Sequence, residues 1–219
     1  MIIQFNTNKN DSIVIDLVQL ESRLKELNLN SDILVEACKA GLLAKANCTP
    51  FDTKGQPGYI QWNDTNSKLR FLTHNLEWDV YQENGIEGII SKDKKVRIIP
   101  SSGDAATGNP NQPASNKNRK GEKSIDIIEN SKQGNLFTGF PNFEDEEIET
   151  YILLYYANKR ELRMELSKPS LIDKKGKIKA WNERLILPTQ SLNDIEIVIP
   201  ENVNEEKIDI PIIRKQNEG

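Results

Sequence analysis

Two stretches hold residues whose types and spacing could do chemistry. In "ELRMELSKP", Glu161, Arg163 and Glu165 alternate with apolar residues, and Lys168 follows. In "VRIIPSSGDAATGNPNQPASNKNRKGEKS", an apolar run ends at Pro100 and is followed by Asp104, small residues, two more prolines and a basic cluster. Carboxylates beside a lysine at strand ends are the apparatus of a Mg²⁺-dependent nuclease, in which the metal activates water. Asp104, Glu161 and Glu165 are the candidate catalytic set, with Mg²⁺ as the implied cofactor. The spacing is Glu-x-Arg and Glu-x-x-Lys, however, not the Glu-x-Lys of restriction-type cores. Charge alternating on a half-exposed strand gives the same pattern. That plainer explanation is preferred, and the nuclease stays as the alternative.

The second stretch allows two further chemistries. Gly103 and Gly108 have the four-residue gap of a phosphate-binding loop. Such a loop needs Lys-Ser/Thr opening a helix, and Asn109-Pro110 stands there instead. Nucleic-acid contact is the other option. Lys117, Arg119, Lys120 and Lys123 lie among Asn and Ser, as in basic arms that touch phosphates without reading sequence. "KDKK" and "KKGKIK" could join them in a stripe, although Lys-rich turns also keep sheet edges soluble. Ser102, Gly103, Asp104, Thr107, Gly108, Lys117, Arg119, Lys120 and Lys123 are therefore the candidate nucleic-acid or partner-binding residues. Ser101 to Gly108 is expected to be ordered against the sheet, and Asn109 to Lys120 to be mobile. Ordering costs about 1–2 kcal/mol per residue, and the second part has little to bury. Thiol or imidazole catalysis would have to use Cys38, Cys48 or His74. Cys38 is expected to pack in the core and Cys48 to be a buried thiol; a disulfide between the two stays open.

The elements that must position these residues change character along the chain. Leu17, Leu20, Leu24 and Leu27 recur at helical spacing. A second helix is expected after an Asn30 or Ser31 cap, with Gly41 allowing close helix contact. A third is expected from about Tyr59 to Leu76, with Trp62, Leu69, Leu72 and Leu76 inward. "WDVYQ", "IEGIIS" and "KVRII" read as a β meander, and "SIDIIENSKQGNLF" as a short helix. "TYILLYYA" is apolar on both faces and should be a central strand. It is followed by "ELRMEL", "WNERLILP", "IEIVIP" and "IDIPIIRK" as strands. The fold expected is α+β: a helical N-terminal part, residues 1–76, packed on the mostly antiparallel sheet of a β-rich part, residues 77–219. Both belong to a single domain.

The 219 residues carry a net charge of −4, which excludes a general nucleic-acid coat but not a local basic surface. With two cysteines and one histidine the chain lacks the paired ligands of a zinc site. No apolar run approaches the roughly 18 residues of a membrane span. Few cysteines and no leader-like opening suggest a reducing, cytoplasmic setting. "SSGDAATGNPNQPASNKNRKGEKS" and "ELSKPSLIDKKGKIKAWNERLILP" resemble segments of uncharacterised bacterial proteins associated with mobile elements and phage defence. The resemblance covers about a quarter of the chain and carries no known activity. It implies a binding protein, a component or regulator of such a system, contacting protein, nucleic acid or both.

Overall fold

The computed structural model describes residues 13–15, 17–130 and 148–192. Three helices come first: α1 (Leu17–Glu26), α2 (Ser31–Ala46) and α3 (Gln56–Thr73), preceded by a short strand β1 (Ile13–Ile15). Then follow β2 (Trp78–Glu83), β3 (Ile86–Ser91), β4 (Val96–Ser102), α4 (Glu122–Asn130), β5 (Glu149–Ala157), β6 (Glu161–Ile172), β7 (Ile178–Ile186) and β8 (Gln190–Ser191). They form one sheet in the order β1-β7-β6-β5-β4-β3-β2, with β8 beside β6. The β4–β5 and β1–β7 pairs are parallel and the others antiparallel. The architecture is α+β with a mostly antiparallel sheet. Among the described residues no helix is long and apolar enough to cross a membrane.

One sheet face meets the helices. Leu20, Leu24, Leu34 and Leu42 pack there with Ile98, Leu153, Leu162, Met164 and Leu166. A fully buried aliphatic side chain is worth about 1.5–3 kcal/mol, so this layer dominates the stability. Asn30 caps α2, its Oδ1 accepting from the Ile33 N–H at 3.0 Å. At Gly41 the backbones of α2 and α3 come so close that a Cβ would collide with Thr65 Oγ1 and the Gln61 carbonyl.

α3 departs from expectation. It begins at Gln56 and ends at Thr73, and its buried residues are Gln61, Thr65, Asn66, Leu69 and Thr73. Trp62 and Leu72 are only half-buried. The polar residues are accommodated because Thr65 and Thr73 donate to the Gln61 and Leu69 carbonyls of their own helix, at 2.7 and 2.8 Å. Arg70 pins the outer turn to β3 and β2, donating to the Gly88 and Tyr81 carbonyls.

The opposite sheet face is also apolar. Ile90, Ile99, Ile152, Leu154 and Trp181 are buried there, covered by Ile128 of α4 and Ala114 of the segment after β4. That segment is held along its whole length. Ala114 and Asn116 are buried, Gly103 bridges to Asn116, and Lys117 N–H donates to the Ser102 carbonyl at 2.8 Å. Ser101–Gly108 lies against the sheet. Asn109–Lys120, expected to be mobile for its small apolar content, is bonded to the sheet as well, through Lys117 N–H to the Ser102 carbonyl and Ile178 N–H to Asn116 Oδ1. The expected strands "IEIVIP" and "IDIPIIRK" and the end of the helix toward Gly134 lie outside the described residues.

Candidate binding cleft

The loop after β4 is anchored by a buried ion pair. Glu165 and Arg184 point from β6 and β7 toward the loop and are 0% and 2% exposed. Arg184 Nε donates to Glu165 Oε1 at 3.2 Å, and its two terminal nitrogens donate to the Gln112 and Asn109 carbonyls at 2.9 and 3.2 Å. Glu165 also accepts from the Gly108 N–H at 3.0 Å and the Ser167 hydroxyl at 3.1 Å. A β-turn segment poor in apolar side chains is thus fastened by charge-assisted bonds to its backbone.

This arrangement reassigns several candidates. Glu165 does not lie on a half-exposed strand face; its carboxylate is sealed and fully engaged. Asp104 accepts from the Ala106 N–H of its own turn, and Glu161 pairs with Arg163 at 3.1 Å. Among the described residues no three His, Cys, Asp or Glu side chains come together to hold a metal. The structure therefore does not assemble Asp104, Glu161 and Glu165 as a Mg²⁺ site. Gly103, Thr107 and Gly108 are packed into the fold and do not line the cavity described below. Gly103 N–H donates to the Tyr155 carbonyl at 2.8 Å, and Thr107 is fully buried beneath Gly103. Gly108 has φ +71°, the left-handed region that favours glycine.

Two of the three basic turns meet. Lys120 N–H donates to the Gly176 carbonyl at 2.9 Å, and Lys177 Nζ donates to the Asn116 and Lys117 carbonyls at 2.6 and 2.7 Å. Burial first and the neighbouring Lys117 second pull the Lys45 ammonium below its ordinary pKa, which brings the end of α2 into the same basic region. The third turn pairs instead with carboxylates on and just before β2: Lys94 with Asp79 at 2.9 Å and Lys92 with Glu77 at 3.8 Å. Lys123 is exposed in the first turn of α4.

Between this basic region and α3 lies a cavity of about 310 Å³. β3 pairs with β4 only at Ile89–Ile98 and Ile90–Arg97, so Pro100–Ser102 end β4 with no β3 residue paired to them. The cavity is lined there by Pro100, Ser101 and Ser102, across from Asn118, Arg119 and Lys120. Gly55, Gly58, Tyr59 and Trp62 of the α3 N-terminus form the remaining wall. Gly55 caps that helix with no side-chain bond. Gln56 N–H donates to the Thr53 carbonyl and Tyr59 N–H to the Gly55 carbonyl, and Pro57 has no N–H, which leaves the Gly58 N–H of the first turn for another acceptor. Tyr59 is 57% exposed and sits 5.8 Å from Trp62, ring to ring. Lys120 Nζ donates to Ser101 Oγ at 2.8 Å, and burial pulls its pKa down to about 8.

Of the candidates, the cavity brings together Ser102, Arg119 and Lys120. Lys117 stands beside it, and Lys123 is not in its lining. Ser101, Tyr59 and Trp62 were not singled out from sequence. The aromatic pair at i and i+3 in the first turns of a helix is a visible signal, but nothing in the sequence ties it to a loop about 60 residues away. Cys38 and Cys48 are buried free thiols, and burial raises the pKa of both. His74 is exposed at the end of α3, its Nδ1 against the Phe71 carbonyl.

The chain matches no family model, no curated protein and no solved structure.

Proposed function

We propose that the protein acts by binding and that its ligand is single-stranded nucleic acid. The observation that carries this is the convergence of Arg119, Lys120 and Tyr59–Trp62 on one cavity whose lining contains no carboxylate. Cations for the backbone and aromatic faces for unstacked bases are what strand binding without sequence preference requires. The positive end of the α3 dipole, with the Gly58 N–H, adds favourable potential for phosphate. A duplex keeps its bases stacked inside and cannot offer one to Tyr59, which favours a single strand.

The resemblance to bacterial mobile-element and phage-defence proteins supports a role as a component or regulator of such a system. The two stretches carrying it are bonded to each other, at Gly108–Glu165, Asn109–Arg184 and Lys120–Gly176, and we read them as one functional unit. A protein partner is the second reading, favoured by Phe51 and Phe71, which are 95% and 64% exposed on the α2–α3 hairpin side.

Fluorescence anisotropy with labelled oligothymidylate and a matched duplex, at rising salt, tests the first reading. Single-strand binding should exceed duplex binding. Tyr59→Ala should cost about 1–3 kcal/mol, and Arg119→Ala should reduce the salt slope by about 0.7. Equal affinity for duplex, with Tyr59→Ala silent, would overturn it. So would cleavage of plasmid or RNA that requires Mg²⁺ or Mn²⁺.

A further inference from the structure

We propose that Ser101 is a nucleophile with Lys120 as its general base, and that the cavity hydrolyses carboxylic esters carrying an anionic group. The activity goes beyond strand binding and does not depend on it. Ser101 Oγ and Lys120 Nζ are 2.8 Å apart, within the reach a nucleophile–base pair needs. Both are held by rigid backbone. Ser101 lies in β4 opposite Leu154 of β5, and Lys120 is fixed by its N–H bond to Gly176. At Gly176 a Cβ would collide with the Lys120 backbone, so this fit requires glycine. Ser101 is 8% exposed, yet it lines the cavity.

A lysine can serve as base only if it loses its proton near working pH, and serine–lysine pairs use this variant of the triad logic. The surroundings of Lys120 favour that loss. No carboxylate lines the cavity, and burial lowers its pKa to about 8. Arg119 of its own loop and Tyr59 of α3 line the same cavity, and the Lys120 backbone meets the β6–β7 turn, which carries Asp173, Lys174, Lys175 and Lys177. Asp173 is engaged within that turn, accepting from the Lys175 and Lys177 N–H groups at 2.9 Å. Arg119 supplies the counter-charge for an anionic substrate, and the Gly58 N–H, in the cavity lining, supplies one donor for a developing oxyanion.

The chemistry closes with water as the only co-reactant. Ser101 Oγ attacks the ester carbonyl carbon while its proton passes to neutral Lys120 Nζ, and the carbonyl electron pair moves onto oxygen. Collapse breaks the bond to the alcohol oxygen, which takes the proton from the Lys120 ammonium. Water then attacks the acyl-Ser101 carbon and gives a proton to Lys120. The acid is released, and Ser101 oxygen recovers its proton.

A fluorophosphonate probe tests the pair directly in the full chain, without nucleic acid, so the result stands apart from the binding reading. Intact mass and peptide mapping should show one adduct, on Ser101, formed at a rate that rises with pH around a midpoint near 8. Ser101→Ala should abolish it. Lys120→Met and Lys120→Arg should each slow it by about a hundredfold, the order general-base catalysis contributes. The arginine variant keeps the charge and donors should the methionine variant fold poorly. Circular dichroism confirms folding of each. No adduct on Ser101, an adduct formed equally fast in a folded Lys120 variant, or a rate flat with pH would overturn the proposal.

Discussion

Glu165 and Arg184 behave differently from an isolated buried ion pair. Removing one partner of such a pair costs about 3–5 kcal/mol, whereas replacing both by apolar residues is often neutral. Here the pair also serves the Asn109 and Gln112 carbonyls and the Gly108 N–H. Arg184→Met should therefore destabilise by at least the single-removal amount in urea denaturation. Glu165→Leu with Arg184→Met should fail to restore stability, because each orphaned backbone group costs about 1–3 kcal/mol. Lys120 carries the opposite sign. Its pKa is 10.5 in the unfolded chain and about 8 when folded, so the unfolded state binds more protons between those values. The penalty is complete below pH 8 and is relieved as pH rises to 10.5. Lys120→Met should raise the denaturation midpoint at pH 7, by at most about 3 kcal/mol in stability, and the gain should disappear above pH 10.5.

Among the elements, the α2–α3 hairpin depends on one missing methyl group. A Cβ at Gly41 meets the Gln61 carbonyl, which is backbone and cannot step aside. Gly41→Ala should cost about 1–3 kcal/mol, despite alanine's better helix propensity, and thermal denaturation will show it. This contact was readable in the sequence because Gly41 shares a face with Leu34, Ala37, Cys38 and Leu42. The Asn30 cap and the doubly apolar β5 were readable for equally local reasons. The inward face of α3 was readable only at Leu69, which is fully buried: the rest of that face buries threonine and amide side chains, and Trp62 and Leu72 are half-buried. β1 has three residues, too few to show a period. In β7 the register against β6 shifts near Pro169, with Lys168 opposite Glu183 and Pro169 opposite Trp181. A bulge of this kind breaks simple alternation, so the side taken by Arg184 could not be counted off.

At the scale of the whole molecule, a polar segment shares with α4 the covering of the second sheet face. β5 is buried on both sides, so something had to cover the second face, yet the segment after β4 offers little more than Ala106 and Ala114 for the purpose. Its composition reads as a mobile arm because composition records side chains and not the backbone bonds that distant residues supply. The cavity was hidden for the same reason, being made from residues near positions 58, 101 and 120. Hydrogen exchange should show the Gly103, Asp104 and Lys117 amides, bonded to Tyr155, Ser115 and Ser102, as protected as the core of β5. Rapid exchange there would restore the mobile arm. The anchor also sets a schedule for synthesis. Asn109 and Arg184 are 75 residues apart in the chain. At about 5–20 residues per second, the loop leaves the ribosome several seconds before the guanidinium that fastens it. Through that interval the second face of β4 waits without its cover, and a nascent chain stalled before Arg184 would present it to whatever chaperone or neighbouring chain arrives first.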